Sequence, residues 1–261
     1  MHSSQVGRPS NATRQYVRLY VQREIESGVE TVRHPVTARS THLIDFEFGD
    51  PIGIQPAGAL FTRNAEAAAL VGLQTSQQNQ LLMRGKVKSF VVFFHAAAMY
   101  QLFRLPAADL VDRDYAANSL LGTACSELYQ RLGNARCFEE RVQIVERFVL
   151  VQSLKERVAG SIELAANEIL RKHGECRMDC LAHDTGLAVR SFQRLFRQHI
   201  GVSPKLYARI VRFESALKTK ASFPEKSWAT IAYQFGYHDQ MHMIHDFENY
   251  PARPRSRFST R

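Results

Sequence analysis

Cysteine is scarce in this chain: four among 261 residues, Cys125, Cys137, Cys176 and Cys180, at irregular spacing. That excludes a disulfide scaffold and suits a reducing compartment. Long apolar runs are missing as well. With 45% apolar residues the chain can build cores, but no run reaches the roughly 18 residues of a membrane helix. Met1 to Asn11 lacks the apolar segment of a signal peptide. The expectation is a cytoplasmic protein with no membrane contact. No glycine loop suited to cradling phosphate occurs, and no Gly-x-Ser-x-Gly elbow, so no enzyme chemistry and no cofactor is announced.

The remaining polar clusters are weak. His173, Cys176, Cys180 and His183 are near enough in sequence to suggest zinc. Leu181 and Ala182 between them belong to a helix core, however, and Cys180 and His183 fall at positions that face water. No metal site is expected. Asp109, Asp112 and Asp114 read as a solvated loop behind Pro106, and His95 as a core or rim residue.

Charge is present and unevenly placed. Of the net +9, residues 1–159 hold 18 basic and 15 acidic side chains, which leaves +3. Residues 160–261 hold 16 and 10, which leaves +6. A basic excess concentrated in one part of a chain is the footprint of phosphate binding.

That part contains a pattern twice. Leu181-Ala182, three residues and Gly186 are followed ten residues on by Phe196; Ile231-Ala232, three residues and Gly236 are followed eleven residues on by Phe247. Each copy reads as a helix, a tight turn at glycine and a second helix, the helix-turn-helix arrangement. In the first copy Phe192, Leu195, Phe196 and His199 form the inner stripe, while Arg190, Gln193, Arg194 and Arg197 stand together outside. Guanidiniums and an amide on one face suit base edges and phosphates. A solvated surface helix is the bland alternative for one such stripe; the second copy tells against it. Between the copies Ser203 caps and Pro204 opens a helix to about Lys220, a rod of roughly 24 Å that can hold two reading helices about one DNA turn apart.

The stretch "LAHDTGLAVRSFQRLFRQHIGVSPKLYARIVRFESAL" with "WATIAYQFGYHDQMHMIHDF" resembles the DNA-binding domain of the AraC/XylS family of bacterial transcription regulators. The resemblance implies an all-α carboxy-terminal domain over 160–258, with two helix-turn-helix motifs on a linking helix, reading double-stranded DNA. Carried over by position, it assigns DNA contact to Arg190, Ser191, Gln193, Arg194 and Arg197. In the second motif it assigns Gln240, Met241, His242 and His245. It also implies RNA polymerase as a partner if the protein activates, with a homodimer and a small-molecule effector as further partners. Ala188 stands where the family has a capping serine, and His245 where it favours arginine. "NYPARPRSRF" at the end departs from the family pattern. Some DNA-alkylation repair proteins share this domain, but they need a reactive cysteine near the amino terminus, and here the first is Cys125.

The rest of the chain is expected to complete an α+β protein. Residues 1–29 read as a polar, disordered leader. Residues 30–154 read as a regulatory or dimerising domain: strands in a small partial barrel, including "HLIDFEF", "AALVGLQT", "QLLMRG" and "SFVVFFH", then helices opened by Pro106, over Asn118–Leu132 and over Phe138–Leu154. This part resembles, more weakly, the amino-terminal domain of AraC-like regulators whose effectors are undefined. The function expected is a sequence-specific regulator whose residues 30–154 take no part in reading DNA. The alternatives are a non-specific architectural DNA binder and a ligand-binding module with a degenerate reader.

Overall fold

The computed structural model describes residues 2–56, 59, 63–64, 67–76, 79–154, 160–238, 240, 241 and 243. Among the described residues ten strands occupy the first half: β1 His2–Gly7, β2 Val17–Glu26, β3 Val32–Pro35, β4 His42–Glu47, β5 Gly53–Pro56, β6 Arg63–Asn64, β7 Ala68–Val71, β8 Asn79–Met83, β9 Lys86–Phe94 and β10 Asp114–Ala116. They pair antiparallel into two open sheets, ordered β1-β2-β9-β4-β7-β10 and β3-β8-β5-β6. The expected partial barrel is therefore a pair of facing open sheets.

Alternation along the strands divides the larger sheet into two faces. Tyr20, Ile44, Phe46, Leu70, Phe90, Val92 and Phe94 share one core with Leu128, Leu132, Ile144, Val145 and Val149. Those partners come from α3 Thr123–Gly133 and α4 Phe138–Ser153, which follow α1 Ala98–Phe103 and α2 Ala117–Leu121. Each such side chain contributes about 1.5–3 kcal/mol when fully buried. On the opposite face Val87 and Ile25 meet Met83, Leu81 and Val32 of the smaller sheet. The helix read over Asn118–Leu132 is in fact two, because Gly122 at φ 69° interrupts it. Pro106 opens only a 3-10 turn, Ala107–Asp109.

The disordered leader is a correction. Residues 2–7 are β1, paired along their length with β2 from His2↔Ile25 to Gly7↔Tyr20. The turn that follows is pinned by one carboxylate: Glu146 of α4 accepts from Ser10 N–H, Thr13 Oγ1 and Tyr20 Oη. Polar composition does not prevent an edge strand from forming when its hydrogen bonds are made by backbone.

The second half is helical: α5 Ser161–Arg171, α6 Met178–Asp184, α7 Val189–Ile200, α8 Pro204–Ser222 and α9 Trp228–Gln234. Gly186 and Gly236, both at φ 68°, make the two turns where left-handed backbone is required. The join over 155–159 and the tail beyond 243 lie outside the described residues. Among the described residues no helix is long and apolar enough to cross a membrane.

Candidate nucleic-acid interface

The first motif has the geometry its sequence announces. Leu181, Ala182, Phe192, Phe196 and Ile200 are buried in one cluster, with Leu195 packed against it. Phe192 and Phe196 meet edge to face, 5.6 Å between centroids, and Phe196 meets Tyr207 of α8 at 5.8 Å. With that side of α7 locked inward, Arg190, Gln193, Arg194 and Arg197 are all exposed on the other, and Ser191 is half-buried at its edge. Ala188 precedes α7 with φ −59° and ψ 143° and makes no side-chain cap.

The linking helix is longer than expected. At 19 residues α8 spans about 28 Å. Ser203 Oγ accepts from Leu206 N–H at its start. Arg212, on this helix, is a structural residue: it donates to Gly174 O at 3.1 Å, and its guanidinium lies 5.2 Å from the Tyr237 ring centroid.

The second motif is described only in part. α9 carries a serine cap, Ser227 Oγ accepting from Thr230 N–H, and buries Ile231 and Ala232. Beyond the turn Gln240 is half-buried, Met241 exposed and Met243 buried. His242 and His245 lie outside the described residues, as does "NYPARPRSRF". Two of the four assigned positions are thus placed.

Sequence reasoning missed what the last turn of α7 touches. Gln198 Nε2 donates to Tyr100 Oη at 3.3 Å, and the His199 ring stacks on Tyr100 of α1 with centroids 4.0 Å apart. His199 Nδ1 lies 3.0 Å from Glu163 Oε1. Burial works to raise the Glu163 pKa, but the hydrogen bond from His199 and the backbone contacts outweigh it and hold the carboxyl below its usual range. Further along, Ser40 Oγ donates to Glu214 of α8, and Arg18 lies 3.7 Å from the same carboxylate. The amino-terminal domain is seated against the C-terminal end of α7 and the neighbouring side of α8. No local pattern marks Tyr100 for this role, because its partners stand on a helix roughly a hundred residues further along the chain.

The other candidate clusters assemble no site. Among the described residues no group of three or more His, Cys, Asp or Glu side chains is placed to hold a metal. Cys180 is exposed, and His173 Nδ1 faces Ser215 Oγ at 3.2 Å. Asp112 is a structural tie, accepting from Thr75 N–H and Oγ1. His95 is half-buried with Nδ1 unpartnered, and its pKa is lowered by burial and then by Arg18.

A helical domain holding one helix-turn-helix motif and the first helix and turn of a second, joined to a two-sheet domain, has the arrangement of a DNA-binding regulator. Residues 181–259 match the family described as a helix-turn-helix domain, and residues 5–116 match a domain of unknown function, DUF6597. The two matches lie one in each half of the chain, the helix-turn-helix family over the carboxy-terminal part and the domain of unknown function over the amino-terminal part. No curated protein matches it. Among solved structures, ToxT from Vibrio cholerae O395 is similar at TM-score 0.47 and 10% identity, covering 95% of this chain and 93% of that one. Wild-type ToxT from Vibrio cholerae strain SCE256, bound to unsaturated fatty acid, gives 0.45 and 11%, covering 95% and 91%. The AraC-like transcriptional activator CuxR gives 0.30 and 15%, covering 83% and 87%.

Proposed function

We propose that this DNA-binding regulator is sequence-specific, with α7 lying in a major groove and reading bases through Arg190, Gln193 and Arg194 while Ser191 and Arg197 touch its edge and backbone. The observation that carries the proposal is the exposed row of three guanidiniums and an amide on a helix whose opposite face is fixed in the core. A guanidinium matches guanine O6 and N7, and an amide matches adenine N6 and N7. Gln240 and Met241 stand correspondingly beyond the second turn, and α8 sets the separation.

Control by a small molecule belongs to the amino-terminal domain. Arg23 and Asp45 alternate with Val21 and Leu43 on the face of the larger sheet that meets the smaller one. Asp45 Oδ1 is buried there without a partner, and burial pushes its carboxyl up to about 6. Such a group calls for a donor, and a small polar effector supplies one.

One experiment tests both parts. DNA selected from a random pool by the full chain should bind tightly, and Arg194→Ala should cost about 1–3 kcal/mol and relax specificity at one base position. An equal loss on selected and random DNA would reduce Arg194 to a backbone contact and favour a non-specific architectural binder. A panel of small polar molecules is then screened for a change in affinity at the selected site. An effector whose influence persists in Asp45→Asn would remove the site from between the sheets.

A further inference from the structure

Arg104 closes α1 with its backbone in the left-handed region, φ 56° and ψ 22°. That place at a helix end is ordinarily glycine's, because a Cβ there crowds the neighbouring carbonyl. The conformation is held by the amide N–H, which points at the Met99 and Tyr100 carbonyls. A non-glycine residue kept in strained backbone at an exposed position directs attention to its side chain.

The side chain is exposed and lies beside the first motif. The Arg104 guanidinium carbon is 5.7 Å from the Tyr100 ring centroid, and Tyr100 stacks on His199 and accepts from Gln198. Gln198 is the residue after Arg197, the last of the exposed row on α7. Among the described residues no carboxylate lies within ion-pair distance of Arg104. A cation with no carboxylate partner among the described residues, resting on an aromatic ring that itself stacks on the last turn of α7, is thus held near that helix by a different domain.

We propose that Arg104 is a DNA-phosphate contact, so that the amino-terminal domain takes part in gripping the duplex beside the first reading helix. The proposal rests on α7 being a reading helix. A guanidinium matches phosphate oxygens with two parallel hydrogen bonds, and the ring against it limits the motion lost on binding. A competing role is purely structural, since a cation near the C-terminal end of α7 also complements that helix's dipole. The two roles differ in salt dependence: a phosphate contact displaces counterions, and a dipole contact inside the protein does not.

The test is fluorescence anisotropy with the full chain on a selected duplex and a random duplex, across a salt series. Arg104→Gly, Arg104→Lys and Arg194→Ala are compared with the wild type. Glycine suits the left-handed backbone, so Arg104→Gly should melt no lower than the wild type. It should weaken both duplexes alike, by about threefold to tenfold at low salt, and lower the slope of log K against log salt by about 0.9. Arg104→Lys should keep most of that slope. An unchanged slope in Arg104→Gly overturns the proposal, and with a lowered melting temperature it assigns Arg104 to the domain seam. Arg194→Ala separates the two readings. If it leaves selection intact, base reading by α7 fails, while the Arg104 result on random DNA still stands or falls alone.

Discussion

Glu47, on the inner face of β4, has its carboxyl pushed up to about 8, by burial first and then by the Asp45 carboxylate, against one hydrogen bond from Ile52 N–H. In the unfolded chain a glutamate titrates near 4.3, so the folded state holds a proton over an interval where the unfolded state has lost it. The stability this group contributes is complete at low pH and is lost as pH rises towards 8. His42 works in the opposite sense. Burial, and then Arg39, push its imidazole down to about 3, so its contribution is lost as pH falls from 6.5. Between pH 7 and 8.5 the histidine is largely neutral in both states, and the glutamate effect is left visible. Urea titrations should show stability falling by on the order of 1–2 kcal/mol across that window, and Glu47→Gln should flatten it. A wild type equally stable at both ends, or a variant with the same slope, would show that Glu47 does not hold the proton. None of this is legible in the sequence, where "HLIDFEF" reads only as a strand with two acids in it. The exposed row on α7 is legible, because helical period alone decides which side chains share a face.

At the scale of the element, α7 shows both what a sequence discloses and what it withholds. Its limits follow from Gly186 before it and Gly201 after it, and its buried face from Phe192 and Phe196. The missing cap is also readable, and the structure supplies the reason it matters. Ala188 already has the extended backbone of a capping residue, yet has no oxygen to offer the first free N–H groups. Ala188→Ser should therefore stabilise the domain by about 0.5–2 kcal/mol without moving α7. Thermal melts of the two chains check it, and a serine variant that melts at or below the wild type would contradict it. The β1 strand was withheld for a different reason. Its hydrogen bonds to β2 are made by backbone, and its turn is fastened by Glu146, more than 130 residues away. Composition reports neither.

At the scale of the whole molecule, the boundary between the two domains is blurred by a shared core. Ala38, Leu73, Ala96 and Ala97 of the amino-terminal half lie in one cluster with Phe192, Phe196, Ile200, Val202 and Tyr207 of the other. Domains with separate cores unfold separately, whereas domains that share one should unfold together. The protein carries its own reporter for this, since Trp228 of α9 is the only tryptophan and lies in the carboxy-terminal domain. Its fluorescence, which reports the carboxy-terminal half, and the far-ultraviolet circular dichroism, to which helices of both halves contribute, should lose structure in one coincident transition. Gly201 offers the means to break that coupling. It sits at φ 106°, and a Cβ built on it would come 2.7 Å from Val111 Cγ2 and 2.8 Å from Ala107 O, across the seam. Gly201→Ala adds backbone strain and also a wedge. Strain alone would lower both signals together; a wedge between domains should part them, with the tryptophan signal lost first. Two separate transitions in the wild type, or coincident ones in Gly201→Ala, would mean that contact across α7 does not bind the halves into one cooperative unit. A position that the sequence marks only as a helix stop is then the place where the amino-terminal half bears on the carboxy-terminal half.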